Sequence, residues 1–317
     1  VRWLLRNLRR GSDKETWLQV LRFVAARNRT RLHLRACSNA YGVCVDNASN
    51  AWSWTHGSSC LMPLELRAVV HVAVGDQHIV LVTRAGEVFT RGSNLKGQLG
   101  HGVLGEASLY PQRVTGALLG TRVVSAAAGA QHTAVLTAET RVYTWGTGAG
   151  LGLSKDSRFC AVRPTWVSKA PLLDALAAGG HHTVGVGGGR VVAWGRNRDG
   201  QLGQRGCHEY MAPHCVYLPF KVRDVACGER HTAVLDLWGH LFICGINGNF
   251  EPCRRFTKRP TDGVCSSVSA GEDYTIVALA NGAEQVIGDL PELHSAPPRK
   301  RQCLQLCTDP PAPPQQH

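Results

Sequence analysis

Residues 129–146 read Gly-Ala-Gln-His-Thr-Ala-Val-Leu-Thr-Ala-Glu-Thr-Arg-Val-Tyr-Thr-Trp-Gly. The pattern returns at residues 228–245 as Gly-Glu-Arg-His-Thr-Ala-Val-Leu-Asp-Leu-Trp-Gly-His-Leu-Phe-Ile-Cys-Gly. In both stretches a glycine precedes a histidine by three positions. An apolar run, a polar turn and a second run rich in β-branched and aromatic residues follow. Two such runs joined by a short turn predict a β-hairpin.

The hairpin unit occurs six times along the chain. Further copies contain His78 and His182, and two degenerate copies have Tyr41 and Tyr274 in place of the histidine. Successive units lie 37, 54, 50, 49 and 43 residues apart, whereas the histidine or tyrosine stands 13 or 14 residues before the end of every unit. A core of fixed length with connectors of variable length is typical of a repeated supersecondary unit with surface loops.

Three of the connectors contain a proline-led run, which predicts an outer strand because proline is tolerated at a sheet edge. These runs begin at Pro111, Pro164 and Pro213. Three or four antiparallel strands per unit, repeated radially, predict an all-β fold of the β-propeller type. We expect antiparallel blades with six recognisable repeats, seven blades being the alternative, preceded by a short basic α-helical arm. The expected organisation is an arm over 1–35, a propeller over 36–290 and an extended Pro-rich tail over 291–317.

The net charge of +12 is concentrated in the arm, residues 1–35, where ten Lys/Arg oppose two acidic residues. Ser12 and Glu15 form a capping-box pattern, and Trp17, Leu21 and Val24 follow at helical spacing, which predicts an amphipathic helix over 13–27. The basic residues either bind RNA phosphates, an acidic protein or an anionic membrane, or they form a solvated face. The candidate interaction residues of the arm are Arg2, Arg6, Arg9, Arg10, Arg22, Arg27, Arg29 and Arg31.

The first ten residues are rich in arginine and leucine and contain no acidic residue, as in a mitochondrial targeting segment; a basic helix is the equal alternative. No apolar run reaches the about 20 residues that a membrane-spanning helix needs. The 12 cysteines form no regular framework, which favours a reducing compartment over a disulfide scaffold.

Two stretches have features of a cofactor or metal site, and we expect neither to be one. The glycines of residues 146–152 follow a strand but lack the βαβ context of a dinucleotide loop. Cys207, His208, His214 and Cys215 offer soft ligands, but their spacing matches no common structural zinc site. No catalytic Ser/His/acid or Cys/His set stands out, so we expect no cofactor, no metal and no enzymatic activity.

The connectors carry a more specific phrase, Asn-x-x-Gly-Gln-Leu-Gly, at 94–100 and at 197–203. Combined with Gly-x-x-His-Thr and Trp-Gly, it closely resembles the regulator-of-chromosome-condensation repeat over about residues 36–290. The resemblance implies a propeller of four-stranded blades, usually seven. The chain departs from that family in its six units and in its worn first and last copies. Since the repeated residues recur with the fold, we expect structural roles for Gly75, His78, Gly129, His132, Trp145, Gly179, His182, Trp194, Gly228 and His231, with each histidine ring bonding a neighbouring backbone group.

These features favour a non-catalytic protein-interaction subunit of a large assembly, mitochondrial (matrix) and ribosome- or RNA-associated. Its partners would be other subunits, with RNA bound through the arm. The resemblance also implies a first alternative, nucleotide exchange on a small GTPase, although no long wedge-like insertion is present. A second alternative is a scaffold in a cilium or a ubiquitin-ligase assembly. Nucleus, cytoplasm and cilium are the alternative locations.

Overall fold

Within the residues that the computed structural model describes, six antiparallel β-sheets account for almost all regular structure, and each sheet is one blade. The first five blades have four strands and the sixth has three. Two short 3-10 turns, Gly116–Leu118 and Ala149–Leu151, are the only helical segments within the described ranges. None of the helices found there has the length and apolar character to cross a membrane. The structure describes residues 33–37, 41–46, 48–55, 62–153, 159–248 and 252–288.

Strands follow one another in chain order within each blade, so every neighbour pair is antiparallel. Blade 1 contains β1 His33–Cys37, β2 Tyr41–Val45, β3 Ala51–Thr55 and β4 Met62–Pro63. Blade 2 contains β5 Val69–Val74, β6 His78–Thr83, β7 Val88–Asn94 and β8 Gly105–Arg113. Blade 3 contains β9 Val123–Ala128, β10 His132–Thr137, β11 Val142–Thr147 and β12 Cys160–Trp166.

The remaining three blades repeat this order. Blade 4 contains β13 Ala175–Ala178, β14 His182–Gly187, β15 Arg190–Gly195 and β16 Tyr210–Val216. Blade 5 contains β17 Val222–Cys227, β18 His231–Asp236, β19 Leu241–Gly245 and β20 Cys253–Arg259. Blade 6 contains β21 Cys265–Ala270, β22 Tyr274–Leu279 and β23 Glu284–Gly288.

The quoted repeat forms the central hairpin of each blade. In blade 3, His132 pairs with Gly146 and Leu136 pairs with Val142, and the turn between them requires a positive φ. Thr140 adopts that conformation at φ 59, whereas blades 2 and 5 place Gly86 there at φ 84 and Gly239 at φ 81. The three proline-led runs lie in β8, β12 and β16, which confirms the predicted outer strands.

The hydrophobic core lies between the blades rather than inside one sheet. Val80 of blade 2 packs in one cluster with Val135 and Trp145 of blade 3, and similar clusters join the other consecutive blades. First strands pack on first strands, from β1 to β5 and onward to β9, β13, β17 and β21. This packing places the first strands innermost and the proline-containing fourth strands outside.

The structure confirms the β-propeller and its six repeats as six blades. β1 begins at His33, so the last three residues that the sequence assigned to the arm belong to the first blade. The predicted helix over 13–27 and the tail over 291–317 lie outside the described residues.

Candidate interaction surfaces

Each of the four histidines of the repeat is hydrogen-bonded to the next blade, and we call this chain of hydrogen bonds the relay. Nε2 of His78 lies 2.8 Å from Oγ1 of Thr133 in the next blade, and that hydroxyl donates to the carbonyl of Gln98 at 2.8 Å. A hydroxyl whose proton is used in this way accepts from the ring, so the imidazole is the neutral Nε2–H tautomer. The same relay joins His132 to Thr183 and the Gly150 carbonyl, and His182 to Thr232 and the Gln201 carbonyl; His231 bonds Thr275.

The Nε2 partner is therefore a threonine hydroxyl of the neighbouring blade, where the sequence led us to expect a backbone group. Burial lowers the pKa of His132 and His182 to about 3, and that of His78 and His231 to about 4. Desolvation favours the neutral imidazole, which is the form that the relay needs. These rings are inaccessible to a ligand and serve the joints between blades.

The tryptophans and glycines of the repeat complete the same joints. The indole Nε1 of Trp145 donates to the Gln98 carbonyl at 2.8 Å, and that of Trp194 donates to the Gly150 carbonyl at 2.7 Å. A Cβ at Gly129 would overlap the carbonyl oxygen of Gly179 and its own His132 ring. Equivalent overlaps with the next blade's carbonyl occur at Gly75, Gly179 and Gly228. Only glycine allows the blades to approach this closely.

The two stretches with features of a cofactor or metal site lie in a blade joint and at the outer edge of blade 4. The glycine-rich stretch after β11 supplies the Gly150 carbonyl to the relay of the next blade. Cys207 and His208 lie exposed in a connector, while His214 and Cys215 lie in β16, where the His214 ring packs against Tyr210. Among the described residues no three His, Cys, Asp or Glu side chains are grouped closely enough to hold a metal ion.

One face of the ring, where the hairpin turns of the blades lie, exposes a row of large apolar side chains on blades 4 to 6. We call it the hairpin-face arc. Tyr217 is 90% exposed and Trp238 is 66% exposed, the latter at the tip of the blade 5 hairpin. The backbone N–H of Leu237 donates to the Lys221 carbonyl, and Gly239 contacts Val264. The arc consists of Leu172, Tyr217, Leu237, Trp238 and Val264.

Basic side chains border the arc at blades 4 and 5. The Lys221 side chain packs beside Gly189 of the neighbouring hairpin, which places it between the two blades. Asp236, beneath Trp238, is buried and accepts hydrogen bonds from Nδ1 of His240 at 2.8 Å and from the Trp238 backbone. It therefore holds the hairpin in shape rather than neutralising the bases. The exposed bases are Lys169, Arg190, Lys221 and Arg223.

The opposite face, where the Gly-x-x-His turns meet around the axis, differs in chemistry. Backbone hydrogen bonds link Ala130 to Gly180, Gly180 to Glu229 and Glu229 to Glu272. Burial raises the pKa of Asp76 and lowers the pKa of His181, whose imidazole is further disfavoured as a cation by Arg196. Near the axis this face is therefore polar, with carboxylates at its mouth, while the connector between β7 and β8 exposes the apolar side chains of Leu95, Val103 and Leu104.

Comparison with known proteins agrees with this geometry. The family model of the regulator of chromosome condensation (RCC1) repeat matches residues 85–136 and 188–235, and a second model of the same repeat matches 69–98. The chain belongs to the RCC1 repeat family. It is a divergent member: it is 31% identical to the ultraviolet-B receptor UVR8 of Arabidopsis thaliana over 253 residues, covering 71% of this chain and 57% of the receptor.

Other relatives are longer than the stretch that matches this chain. The chain is 28% identical to the mouse regulator of chromosome condensation, covering 59% of itself and 49% of that protein. It is 27% identical to the probable human ubiquitin-protein ligase HERC6, covering 72% of itself but only 24% of that protein. The chain thus spans about half of its shorter relatives and a quarter of the long ones.

Solved structures share the fold. Human WBSCR16 superposes with a TM-score of 0.71 at 23% identity, covering 78% of this chain and 72% of that one. Prp20p from Saccharomyces cerevisiae superposes with a TM-score of 0.70 at 22% identity, covering 83% and 72%. At this identity the likeness concerns the fold alone.

The site residues that the sequence singled out fall into two groups. The repeated glycines, histidines and tryptophans meet at the joints of the RCC1 propeller, as described above. The eight arginines of the arm lie outside the described residues, so their role stays a prediction. Sequence reasoning missed the hairpin-face arc. Its one signal was Leu237-Trp238, which occupies a turn where the other copies have small or polar residues.

Proposed function

We propose that this chain is a non-catalytic interaction subunit that docks a partner protein on the hairpin-face arc. The observation that carries the proposal is the exposure of Tyr217 and Trp238 beside Leu237 on one side of the ring. Aromatic side chains that can be fully desolvated provide most of the binding energy at protein interfaces. Large apolar side chains grouped on one part of a surface mark such sites.

The charges beside the arc favour an acidic partner segment. Arg190 adjoins the hairpin turn of blade 4 and Lys221 lies in the connector between β16 and β17, and both side chains are exposed beside the arc. Complementary charge at the rim of an interface accelerates association and selects the partner, while the apolar centre supplies affinity. A segment that combines carboxylates with apolar side chains fits both parts.

The proposal is tested by purifying the native complex with wild-type protein and with Trp238→Asp and Tyr217→Asp. Leu95→Asp is the matched control, because Leu95 is 68% exposed but lies in a connector outside the arc. We expect the two arc variants to lose the same partner by at least tenfold, as for an interface hot spot. The control should retain it. Equal recovery with all three variants refutes the arc as the docking site.

We further propose a mitochondrial matrix location and RNA as a partner of the arm. The support is the arginine-rich, acid-free composition of residues 1–10 and the concentration of charge in the arm. Import into isolated mitochondria, with cleavage of an upstream segment, tests the location, and a wholly nuclear or cytosolic tagged protein refutes it. Ribonuclease treatment before purification tests the RNA, because partners held only through RNA are then lost. A ribosome-associated role predicts co-sedimentation with ribosomal particles.

Nucleotide exchange on a small GTPase is the second candidate function. It is favoured by the structural likeness to Prp20p, whose published description concerns its binding to Gsp1p and histones. An exchange factor must bind the nucleotide-free GTPase more tightly than the loaded form. Accelerated release of labelled nucleotide from a panel of small GTPases would support it. The relation to HERC6 likewise leaves a scaffold in a ubiquitin-ligase assembly as a third candidate, and a ciliary scaffold is a fourth.

A further inference from the structure

The outer strand of blade 5 differs in charge from the other outer strands. β20 contains four Lys or Arg among its seven residues and no acidic residue. The outer strands of blades 2 to 4 together contain two basic residues and one acidic residue. The positive charge of the propeller is therefore concentrated on one part of its outer wall.

Contacts place two of these cations beside blade 4. Arg254 packs against Gly200, and its Nη1 donates to the Gly206 carbonyl at 2.9 Å. Lys258 lies opposite Phe242 in the β19–β20 register, and directly opposite residues project from the same face of a sheet. Because Phe242 packs in the cluster between blades 4 and 5, the Lys258 side chain projects on that side as well.

The connector between β15 and β16 adds two further cations at the same place. Arg198 and Arg205 are both exposed there. Each lies within two residues of a glycine that contacts Arg254. We call this surface the blade 4–5 seam, and its cations are Arg198, Arg205, Arg254 and Lys258.

Carboxylates balance only part of this charge. The connector has two of them, Asp199 and Glu209, and Glu209 lies 3.9 Å from a different base, Arg196. Within the described ranges no acidic side chain forms an ion pair with the four seam cations. The seam thus presents a net positive charge to solvent.

Aromatic rings lie among these cations. Tyr210 of β16 and Phe256 of β20 are half-buried and pack against the same cluster between the two blades. The ring of His214, which is exposed, lies 5.2 Å from the ring of Tyr210. Proteins that bind single-stranded nucleic acids combine cations along the phosphate backbone with rings on which bases stack.

We propose that the blade 4–5 seam binds a single-stranded nucleic acid, with its four cations on phosphates and the His214 ring against a base. The site belongs to the propeller itself and is independent of the arm and of the hairpin-face arc. Three of the four cations are arginines, whose planar guanidinium holds two phosphate oxygens at once. An acidic protein segment matches the cations alone, whereas a nucleic acid supplies a base for stacking with every phosphate.

The test measures binding of a labelled polyuridine of about 20 nucleotides to the full chain at pH 8, over about 50 to 200 mM salt. Each phosphate neutralised on a single strand contributes about −0.7 to the slope of log K against log salt concentration. Arg254→Gln combined with Lys258→Gln removes two cations. We expect the slope to become shallower by about 1.4 and the affinity at low salt to fall at least tenfold.

The matched control is Arg84→Gln combined with Arg122→Gln, which removes the same charge from exposed sites at blades 2 and 3. It should keep the wild-type slope and affinity. Arg198→Gln combined with Arg205→Gln changes only the connector and should repeat the effect of the β20 pair. Arginines of the arm are present in every variant, so their contribution cancels in the difference between slopes.

His214→Ala separates stacking from charge. It should lower the affinity at least fivefold, because a stacked base is lost. The slope should stay at the wild-type value, because removing a neutral ring releases no counterion. Ordinary imidazoles are neutral at the pH of the measurement.

Three outcomes overturn the proposal. The first is a salt slope that is the same in wild type and in both seam pairs, including the case in which the variants only self-associate, since the cations then merely protect a sheet edge. The second is a duplex of equal length that binds as tightly as the single strand. The third is polyglutamate or phosphatidylserine vesicles that displace the polyuridine as well as unlabelled polyuridine does.

Discussion

Replacing one relay histidine should make the propeller measurably less sensitive to acid. His132 is buried with a pKa lowered to about 3 from the ordinary 6.5, chiefly by burial and then by the nearby His181 and His78. The unfolded chain takes up a proton at this position below pH 6.5, and the folded chain does not. Stability from the neutral ring is therefore complete above pH 6.5 and declines as the pH falls towards the folded pKa.

The magnitude follows from the difference in proton uptake. At pH 5.5 one such histidine lowers the free energy of unfolding by about 1.4 kcal/mol, because only the unfolded chain is protonated there. Four relay histidines have pKa values of about 3 to 4, so together they account for about 6 kcal/mol lost between pH 7.5 and pH 5.5. In a domain whose total stability is about 5–15 kcal/mol, this loss is large.

The assay is urea unfolding of wild type and His132→Gln at pH 7.5, 6.5 and 5.5, followed by tryptophan fluorescence. The variant should start less stable at pH 7.5 because it disturbs the relay. Between pH 7.5 and pH 5.5 the variant should lose about 1.4 kcal/mol less free energy of unfolding than wild type, since the two proteins share all other titratable groups. His231→Gln should behave in the same way. Curves for wild type and variant that run parallel from pH 7.5 to 5.5 would refute the assignment of a neutral, buried imidazole.

Three further predictions concern the joints and the thiols. Gly146→Ala should lower the free energy of unfolding in urea by more than about 2 kcal/mol, because a Cβ at φ 104 meets the start of the preceding strand. Gly120→Ala is the control and should lower it by about 1 kcal/mol or less, because the space around Gly120 is open. Trp145→Phe, which loses the indole hydrogen bond and leaves a cavity, should cost about 1–3 kcal/mol by the same assay. Mass-spectrometric mapping after alkylation at pH 8 should label the exposed Cys215 rapidly. It should leave Cys44 unlabelled, because burial raises the pKa of Cys44 to about 12.

Much of the fold could be predicted because the residues of one repeat determine the strands and the turn of one hairpin. The spacing from His132 to Gly146 fixed both strands of a hairpin and the turn between them, and Pro164 marked the outer strand. Local patterning suffices for such elements, since strand period, turn chemistry and edge tolerance are local properties. The start of β1 at His33 was not predicted, because that stretch lacks the marks of the later copies.

The threonine that bonds each histidine ring was not predicted, for a different reason. Ring hydrogen bonds run between residues about 50 positions apart, such as His132 and Thr183. The sequence shows that both residues recur, but not that one repeat's histidine reaches the next repeat's threonine. The hairpin-face arc was missed because Leu172 and Tyr217 lie in two different connectors and Trp238 lies in a hairpin turn. Their common exposure on one face appears only when the blades are stacked around the axis.

The relay has a consequence for how rings of this kind change in evolution. Blades 3 to 5 each offer a histidine to the blade after them and a threonine to the blade before them, whereas blade 2 offers its histidine but has Ile79 at the position of the threonine. The four joints from blade 2 to blade 6 therefore contain the same complementary pair. A unit duplicated or deleted among blades 3 to 5 leaves a matching histidine and threonine on both sides of the break. The number of blades can change there without a new interface having to arise.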